Sequence, residues 1–179
     1  YRLFVDSGCP ESKLVRCKYV VEPGEFVRDD DFRDQQGVAK GTTILLFSAR
    51  FIEAKGLHEV IQATAQLISH GYDIILFCLG DGPEKEKAEK MASELGIEAY
   101  VRFTGYIPES ATTPYHANAD VFVLPTYHDE GFPLVLVKSL AAGLPIVTTE
   151  LRGAADHFRG GVNCLFVPPQ DPDAVAEAI

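Results

Sequence analysis

Residues 121–149 constrain the fold most strongly, because a short apolar run, a polar loop, a helix-forming segment and a second apolar run follow one another there. The first run, residues 121–124, has the length and composition of a buried strand. Residues 134–142 are mostly apolar or good helix formers, with Pro133 at the expected first helical position and Gly143 just past the expected end. This order predicts a βαβ unit of a parallel sheet.

The polar loop of this unit contains Glu130-Gly131-Phe132-Pro133 and is expected at the carboxyl edge of the sheet, where such sheets bind ligands. Gly131 allows the backbone to approach a ligand closely, and the helix that starts near Pro133 offers N–H groups and a partial positive charge that favour phosphate. Glu130 can accept hydrogen bonds from ligand hydroxyls. The loop fits a ligand with a phosphate and a sugar, although a solvated Glu130 and a simple turn at Gly131 explain the same residues.

The rest of the chain repeats this alternation. Further strands are predicted over residues 43–48, 73–79, 101–103 and 163–167, and helices over residues 57–69, 84–95, 109–118, 153–158 and from 171 onwards. The dense alternation of Glu and Lys in residues 84–94 predicts an exposed helix face with i,i+4 ion pairs. Asp171 is expected to cap the last helix, with Pro172 at its first position. The pattern predicts a doubly wound, Rossmann-like α/β domain with right-handed crossovers.

Two cations, Arg50 and Lys55, lie in the loop after the strand at residues 43–48. Lys55 is not followed by the Ser or Thr of a Walker loop. In the next loop, residues 80–83, a dinucleotide fingerprint fails because Lys85 stands where the third Gly belongs. The sequence therefore disfavours a P-loop and a nicotinamide or flavin site, and leaves two cations at the carboxyl edge of the sheet.

Composition excludes several classes of function. The net charge of −10 and the pI of about 4.9 argue against a broad nucleic-acid surface. No apolar run approaches the roughly 20 residues that a membrane span needs, so a soluble chain is expected. The cysteines lack CxxC spacing, and Cys78 and Cys164 lie in apolar runs, which predicts buried free thiols in a reducing compartment. The histidines lack HxxxH spacing, and the acidic run at residues 29–31 reads as a solvated turn, so no metal site is expected.

Residues 127–149 resemble the signature of the retaining glycosyltransferases of family 4, whose fold is called GT-B. The resemblance rests on the Phe-Pro pair at 132–133, the Ala-Ala-Gly-Leu-Pro turn at 141–145 and the Ile-Val-Thr-Thr strand at 146–149. The donor-binding half of these enzymes carries a Glu, seven residues and another Glu. Glu130 matches the first of these positions, whereas Lys138 replaces the second.

The resemblance implies that residues 41–179 are the donor-binding half of a GT-B glycosyltransferase, with residues 1–40 crossing over from an N-terminal acceptor domain. It implies transfer of a sugar from a nucleoside-diphosphate sugar, such as a UDP or GDP sugar, to an acceptor hydroxyl with retention, and no bound metal or other cofactor. The isolated domain is expected to be inactive. The implied setting is cell-surface polysaccharide or glycolipid synthesis in the cytoplasm, with the full-length enzyme at the inner face of the membrane.

The resemblance also assigns roles to residues. Arg50 and Lys55 would hold the donor diphosphate and Glu130 the donor sugar, and these three are the catalytic candidates. The other donor-binding candidates are Tyr106 and Ile107, in the loop that lies against the base, together with Gly131, Phe132, Pro133, Leu134 and Lys138.

Lys138 stands where the family places a carboxylate that accepts hydrogen bonds from the donor ribose, and an ammonium cannot accept them. Three roles for Lys138 are open: it contacts the phosphate, it donates to a ribose hydroxyl, or it points into solvent as a bystander. The departure also leaves open a GT-B-like binding domain that has lost transfer.

Overall fold

The structure, a computed structural model, describes residues 5–14, 21, 23–128, 133–150 and 158–179. Within these ranges the strands are β1 (Thr43–Ser48), β2 (Ile74–Leu79), β3 (Val101–Gly105), β4 (Val121–Leu124), β5 (Ile146–Thr148) and β6 (Leu165–Phe166). The α-helices are α1 (Phe32–Gln35), α2 (Leu57–Ser69), α3 (Lys85–Glu94), α4 (Thr113–Asn118), α5 (Leu134–Ala141) and α6 (Pro172–Ala178).

The described strands form one six-stranded parallel sheet in the order β3-β2-β1-β4-β5-β6. The strands at its centre are almost wholly buried, which explains their unbroken apolar runs: every residue of β2 and the four central residues of β1 are buried. The predicted doubly wound, Rossmann-like fold is confirmed. Because the chain runs outwards from β1 in one direction and from β4 in the other, the topological switch point lies between these two strands.

The element boundaries differ from the prediction in a few places. Pro133 was expected inside the helix, but its backbone is extended (φ −76°, ψ 102°) and its carbonyl accepts from the N–H of Leu136, so it precedes α5 as the capping residue. The helix predicted over residues 109–118 is a 3₁₀ turn, Glu109–Ala111, followed by α4. The helix predicted over residues 153–158 lies almost entirely outside the described residues.

Several local predictions are confirmed. Asp171 caps α6 by accepting a hydrogen bond from the N–H of Ala174, and Pro172 opens that helix. Helix α3 carries the expected i,i+4 ion pairs, such as that of Lys90 with Glu94 at 3.4 Å. The free thiols of Cys78 and Cys164 are buried. No α-helix of the described residues is long and apolar enough to cross a bilayer.

The segment 23–40 joins the same core, since Phe32 and Val38 are buried with the residues of the sheet. Asp120, just before β4, holds the segment 23–40 against the sheet. Its Oδ2 accepts from the N–H of Ile44 at 2.9 Å and from Arg33 at 2.8 Å, and its Oδ1 accepts from Arg28 at 3.2 Å. One carboxylate therefore connects this segment to the first residues of β1 and β4.

We expect Asp120→Ala to lower the free energy of unfolding by about 2 to 4 kcal/mol, because it leaves the Ile44 N–H and the Arg33 guanidinium without their acceptor. Urea unfolding measures this. The control is Asp34→Ala, which removes an exposed carboxylate from the same segment. Equal stability of the two variants would show that Asp120 does not hold the segment.

Candidate functional site

Two adjoining cavities open at the carboxyl ends of the central strands. The Arg50 cavity, about 400 Å³, is lined by Ser48, Ala49, Arg50, Leu79, Gly80, Asp81, Tyr106, Ile107 and Thr112. The Lys138 cavity, about 350 Å³, is lined by Ser48, Tyr106, Ile107, Glu109, Thr112, His116, Leu134, Val135 and Lys138. The shared lining residues make the two cavities neighbouring parts of one site at the edge where doubly wound sheets bind ligands.

The loop that carries Arg50 is fixed by close backbone contact with the loop after β2. The N–H of Ala49 donates to Leu79 at 3.1 Å, and that of Phe51 donates to Asp81 at 2.9 Å. Gly80 makes this approach possible: it has φ of 137°, and a Cβ there would lie 1.9 Å from the carbonyl oxygen of Ala49. The glycines of this loop therefore serve packing of the Arg50 loop, which explains their presence without a dinucleotide fingerprint.

The same loop is also tied to β4 across the switch point. The carbonyl of Ala54 accepts from the N–H groups of Tyr127 at 2.9 Å and His128 at 3.1 Å, and from the Thr126 hydroxyl at 3.0 Å. Gly56 follows with φ of 78°, and a Cβ there would lie 2.6 Å from the Pro125 carbonyl oxygen. The backbone beside Lys55 is thus held against the segment that leads to Glu130.

Lys55 is half-buried on the 3₁₀ turn Glu53–Lys55. Burial lowers the pKa of its ammonium, because desolvation penalises the charged form. An anion bound beside Lys55 would favour the charged ammonium again. The exposed Arg50 lies on the same loop, so this loop carries two cations, of which Arg50 lines a cavity.

Lys138 points inwards and not into solvent. Its side chain is 15% exposed, and its Nζ lies 2.7 Å from Oε1 of Glu109, whose side chain is 70% exposed. The solvent-facing alternative for Lys138 is therefore wrong. The pair joins α5 to the loop after β3 across the Lys138 cavity.

His116 forms the buried wall of that cavity. Its ring stacks on Phe122 with centroids 5.6 Å apart, and its Nδ1 lies 3.2 Å from the hydroxyl of Ser139. Because that hydroxyl donates to the carbonyl of Val135, Nδ1 is assigned as the protonated nitrogen. Burial, and to a lesser degree the charge of Lys138, lowers the pKa of His116 to about 4. His116 is therefore a neutral wall of the cavity at physiological pH.

We expect the free energy of unfolding to fall as the pH drops from 6.5 towards about 4, since the unfolded chain then binds a proton that the folded His116 does not. The full loss is about 3 kcal/mol. Urea unfolding across this range, for the parent and His116→Gln, measures the slope. His70→Gln, at an exposed histidine, is the control. An unchanged slope in His116→Gln would contradict this assignment.

The structure brings half of the ten predicted site residues together at the two cavities. Arg50, Tyr106, Ile107, Leu134 and Lys138 line the two cavities, Lys55 lies on the loop that also carries Arg50, and Pro133 precedes α5. Glu130, Gly131 and Phe132 lie outside the described residues. Sequence reasoning missed Glu109 and His116. The acidic Glu109 directly follows Pro108 in a loop after a strand, but no local spacing in the sequence connects it to Lys138.

The model of the glycosyl transferases group 1 family matches residues 28–179. This chain belongs to that family. The family match, together with the glycosyltransferase relatives and solved structures described next, supports a C-terminal domain of the GT-B glycosyltransferase fold.

Relatives and solved structures agree with this. The lipopolysaccharide core biosynthesis glycosyltransferase LpsE of Rhizobium meliloti is 37% identical over 138 residues, 76% of this chain and 38% of LpsE. A GDP-mannose-dependent mannosyltransferase of Mycolicibacterium smegmatis, which acts on phosphatidylinositol monomannoside, is 29% identical over 98% of this chain and 48% of its own length. Anabaena Alr3699/HepE, crystallised with UDP and glucose, superposes with a TM-score of 0.84 at 22% identity, over 98% of this chain and 49% of that protein. The chain thus spans less than half the length of each of these proteins.

Proposed function

We propose that this domain binds a nucleoside-diphosphate sugar across the two cavities, for transfer of the sugar to an acceptor hydroxyl with retention, as in family 4. The observation that carries the proposal is the rigid loop with Arg50 and Lys55 at the switch point. It presents two cations at one edge of the sheet, with Arg50 lining a cavity there. Fixed cations at a place where charge develops on a leaving diphosphate stabilise the transition state.

Different residues would bind different parts of the donor. Arg50 and Lys55 hold the diphosphate, so that transfer needs no bound metal ion, and Tyr106 and Ile107 lie against the base. Glu130 holds the sugar, and Gly131, Phe132 and Pro133 bring the start of α5, which lines the Lys138 cavity, close to the donor. The roles of Glu130, Gly131 and Phe132 stand on the sequence alone.

The relatives support the class of donor and product. HepE was crystallised with UDP and glucose, and the mycolicibacterial relative uses GDP-mannose, so hexosyl nucleotides with either base are the donors to test. LpsE acts in lipopolysaccharide core synthesis, which supports a role in cell-surface polysaccharide or glycolipid synthesis. The acceptor would be held by the N-terminal half of the whole enzyme.

Calorimetric titration of the chain with UDP, GDP, ADP and NAD tests this proposal. We expect UDP or GDP to bind, weakly because this chain would supply only one side of an interdomain cleft, and NAD not to bind. Preferential binding of NAD, or no binding of either UDP or GDP, would overturn the proposal.

A second function, a GT-B-like domain that binds the donor without transfer, is favoured by Lys138, whose charge is taken up by Glu109 where the family has a carboxylate. Radiolabelled UDP and GDP hexoses incubated with the whole protein decide between the two. Transfer or hydrolysis of the sugar excludes the binding domain, whereas binding without either reaction supports it.

A further inference from the structure

The group that the Lys138 cavity presents to a ligand is a carboxylate. The ammonium of Lys138 is largely buried and its charge is compensated at 2.7 Å by Glu109, whose side chain stays 70% exposed. A carboxylate has about four acceptor positions, and an exposed side chain keeps its oxygens within reach of a ligand. The carboxylate of Glu109 can therefore still accept hydrogen bonds from a ligand.

We propose that Glu109 recognises the vicinal hydroxyls of the donor ribose, and that Lys138 is the positioning residue that holds Glu109 in place. The inference rests on the proposed function. A carboxylate at the edge of a doubly wound sheet is a suitable acceptor for ribose hydroxyls. The family has a carboxylate at the position of Lys138. In this chain the lysine stands there, on α5, and the carboxylate of Glu109 comes from the loop after β3.

The distribution of charge orients the donor. The exposed guanidinium of Arg50 lines one cavity, whereas the neighbouring cavity contains a compensated ion pair and the neutral His116. The compensated pair offers no net positive charge to a diphosphate, whereas the Glu109 carboxylate can accept from hydroxyl donors. The diphosphate therefore belongs in the Arg50 cavity and the nucleoside in the Lys138 cavity.

The backbone of Glu109 is held ready for this role. Pro108 restricts the chain just before it, and its carbonyl accepts from the N–H of Ala111 at 2.8 Å. The carbonyl of Glu109 accepts from the hydroxyl of Thr112 at 2.7 Å. Since the Lys138 contact fixes the side chain as well, little conformational freedom is left to lose when a diol binds.

The experiment compares ribose with deoxyribose. The parent chain, Glu109→Gln, Lys138→Met and the exchange Glu109→Lys with Lys138→Glu are titrated with UDP, GDP, their 2′-deoxy analogues and inorganic pyrophosphate. Glu86→Gln, at an exposed glutamate of α3, is the control for loss of one negative charge. Thermal unfolding of each variant shows that it is folded.

We expect the parent and Glu86→Gln to prefer the ribonucleotide over its deoxy analogue by about tenfold to a hundredfold, the usual effect of a hydrogen bond to a charged group. Glu109→Gln and Lys138→Met should lose most of this preference and bind pyrophosphate no more weakly than the parent. The exchange should keep a preference, because it returns a carboxylate to the cavity.

A parent that binds UDP or GDP without preferring ribose, or a Glu109→Gln variant that keeps the full preference, would overturn this inference and leave the proposed function intact. Absence of binding by every nucleotide would overturn both. A merely structural role for the ion pair would lower thermal stability without changing the ratio between the two sugars, which would also overturn the inference.

Discussion

Gly80→Ala should lower the free energy of unfolding by about 3 to 5 kcal/mol and abolish measurable nucleotide binding. A Cβ at this position would lie 1.9 Å from the backbone oxygen of Ala49 and 3.1 Å from the ring of Phe51. The first of these contacts is with backbone, so no rotation of a side chain relieves it. The loop that carries Arg50 has to move.

The matched control is Gly96→Ala. Gly96 also has a positive φ, 70°, but a Cβ there would have no neighbour within 4 Å. Gly96→Ala should therefore lose only about 1 kcal/mol of the free energy of unfolding, from the conformational strain of a positive φ. Urea unfolding followed by tyrosine fluorescence, with UDP and GDP titration of each variant, makes the comparison. Equal stability and binding of the two variants would show that the Arg50 loop does not depend on its contact with Gly80.

Arg50→Ala and Lys55→Ala should each weaken binding of UDP or GDP by about tenfold to a hundredfold, because each removes a charged partner of the diphosphate. The double variant should lose about a hundredfold to ten-thousandfold if the two effects add, and less if the cations are coupled through the shared diphosphate. Calorimetry gives the affinities. Binding of the corresponding nucleosides, which lack phosphate, should not change.

The controls for these variants are Lys40→Ala and Arg102→Ala, which remove cations at exposed positions away from the two cavities. They should bind the diphosphates as the parent does. Equal weakening in the controls would mean that net charge sets the affinity. If Arg50→Ala weakens binding of the nucleoside as much as binding of the nucleotide, the loop has lost its structure, and the variant does not report a phosphate contact.

The elements of the sheet could be predicted because their signals are local. The apolar runs of β1 and β2 are buried on both faces, and α2 ends where predicted, with Gly71 two residues beyond it. Pro133 was misplaced because proline suits both the residue before a helix and the first residue in it, and only the backbone torsion distinguishes the two. Strand β6 is shorter than its apolar run because only two residues pair with β5.

The arrangement of the site could be predicted only in part. Arg50 and Lys55 follow a recognisable strand, so their place at the edge of the sheet follows from the pattern of a parallel sheet. The pairing of Lys138 with Glu109 joins two elements that are distant in sequence, and the need for Gly80 comes from a backbone approach between two loops. Neither contact has a local signature, because both depend on how strands β1, β2 and β3 and helix α5 come together.

The central claim is that the loop with Arg50 and Lys55 holds the diphosphate of a nucleotide sugar, and a crystal structure of the chain soaked with UDP-glucose or GDP-mannose tests it most directly. The account predicts the diphosphate in the Arg50 cavity, with its oxygens within hydrogen-bond distance of Arg50 and Lys55, and the ribose beside Glu109 in the Lys138 cavity. A nucleotide bound elsewhere, or with its diphosphate away from both cations, would contradict it.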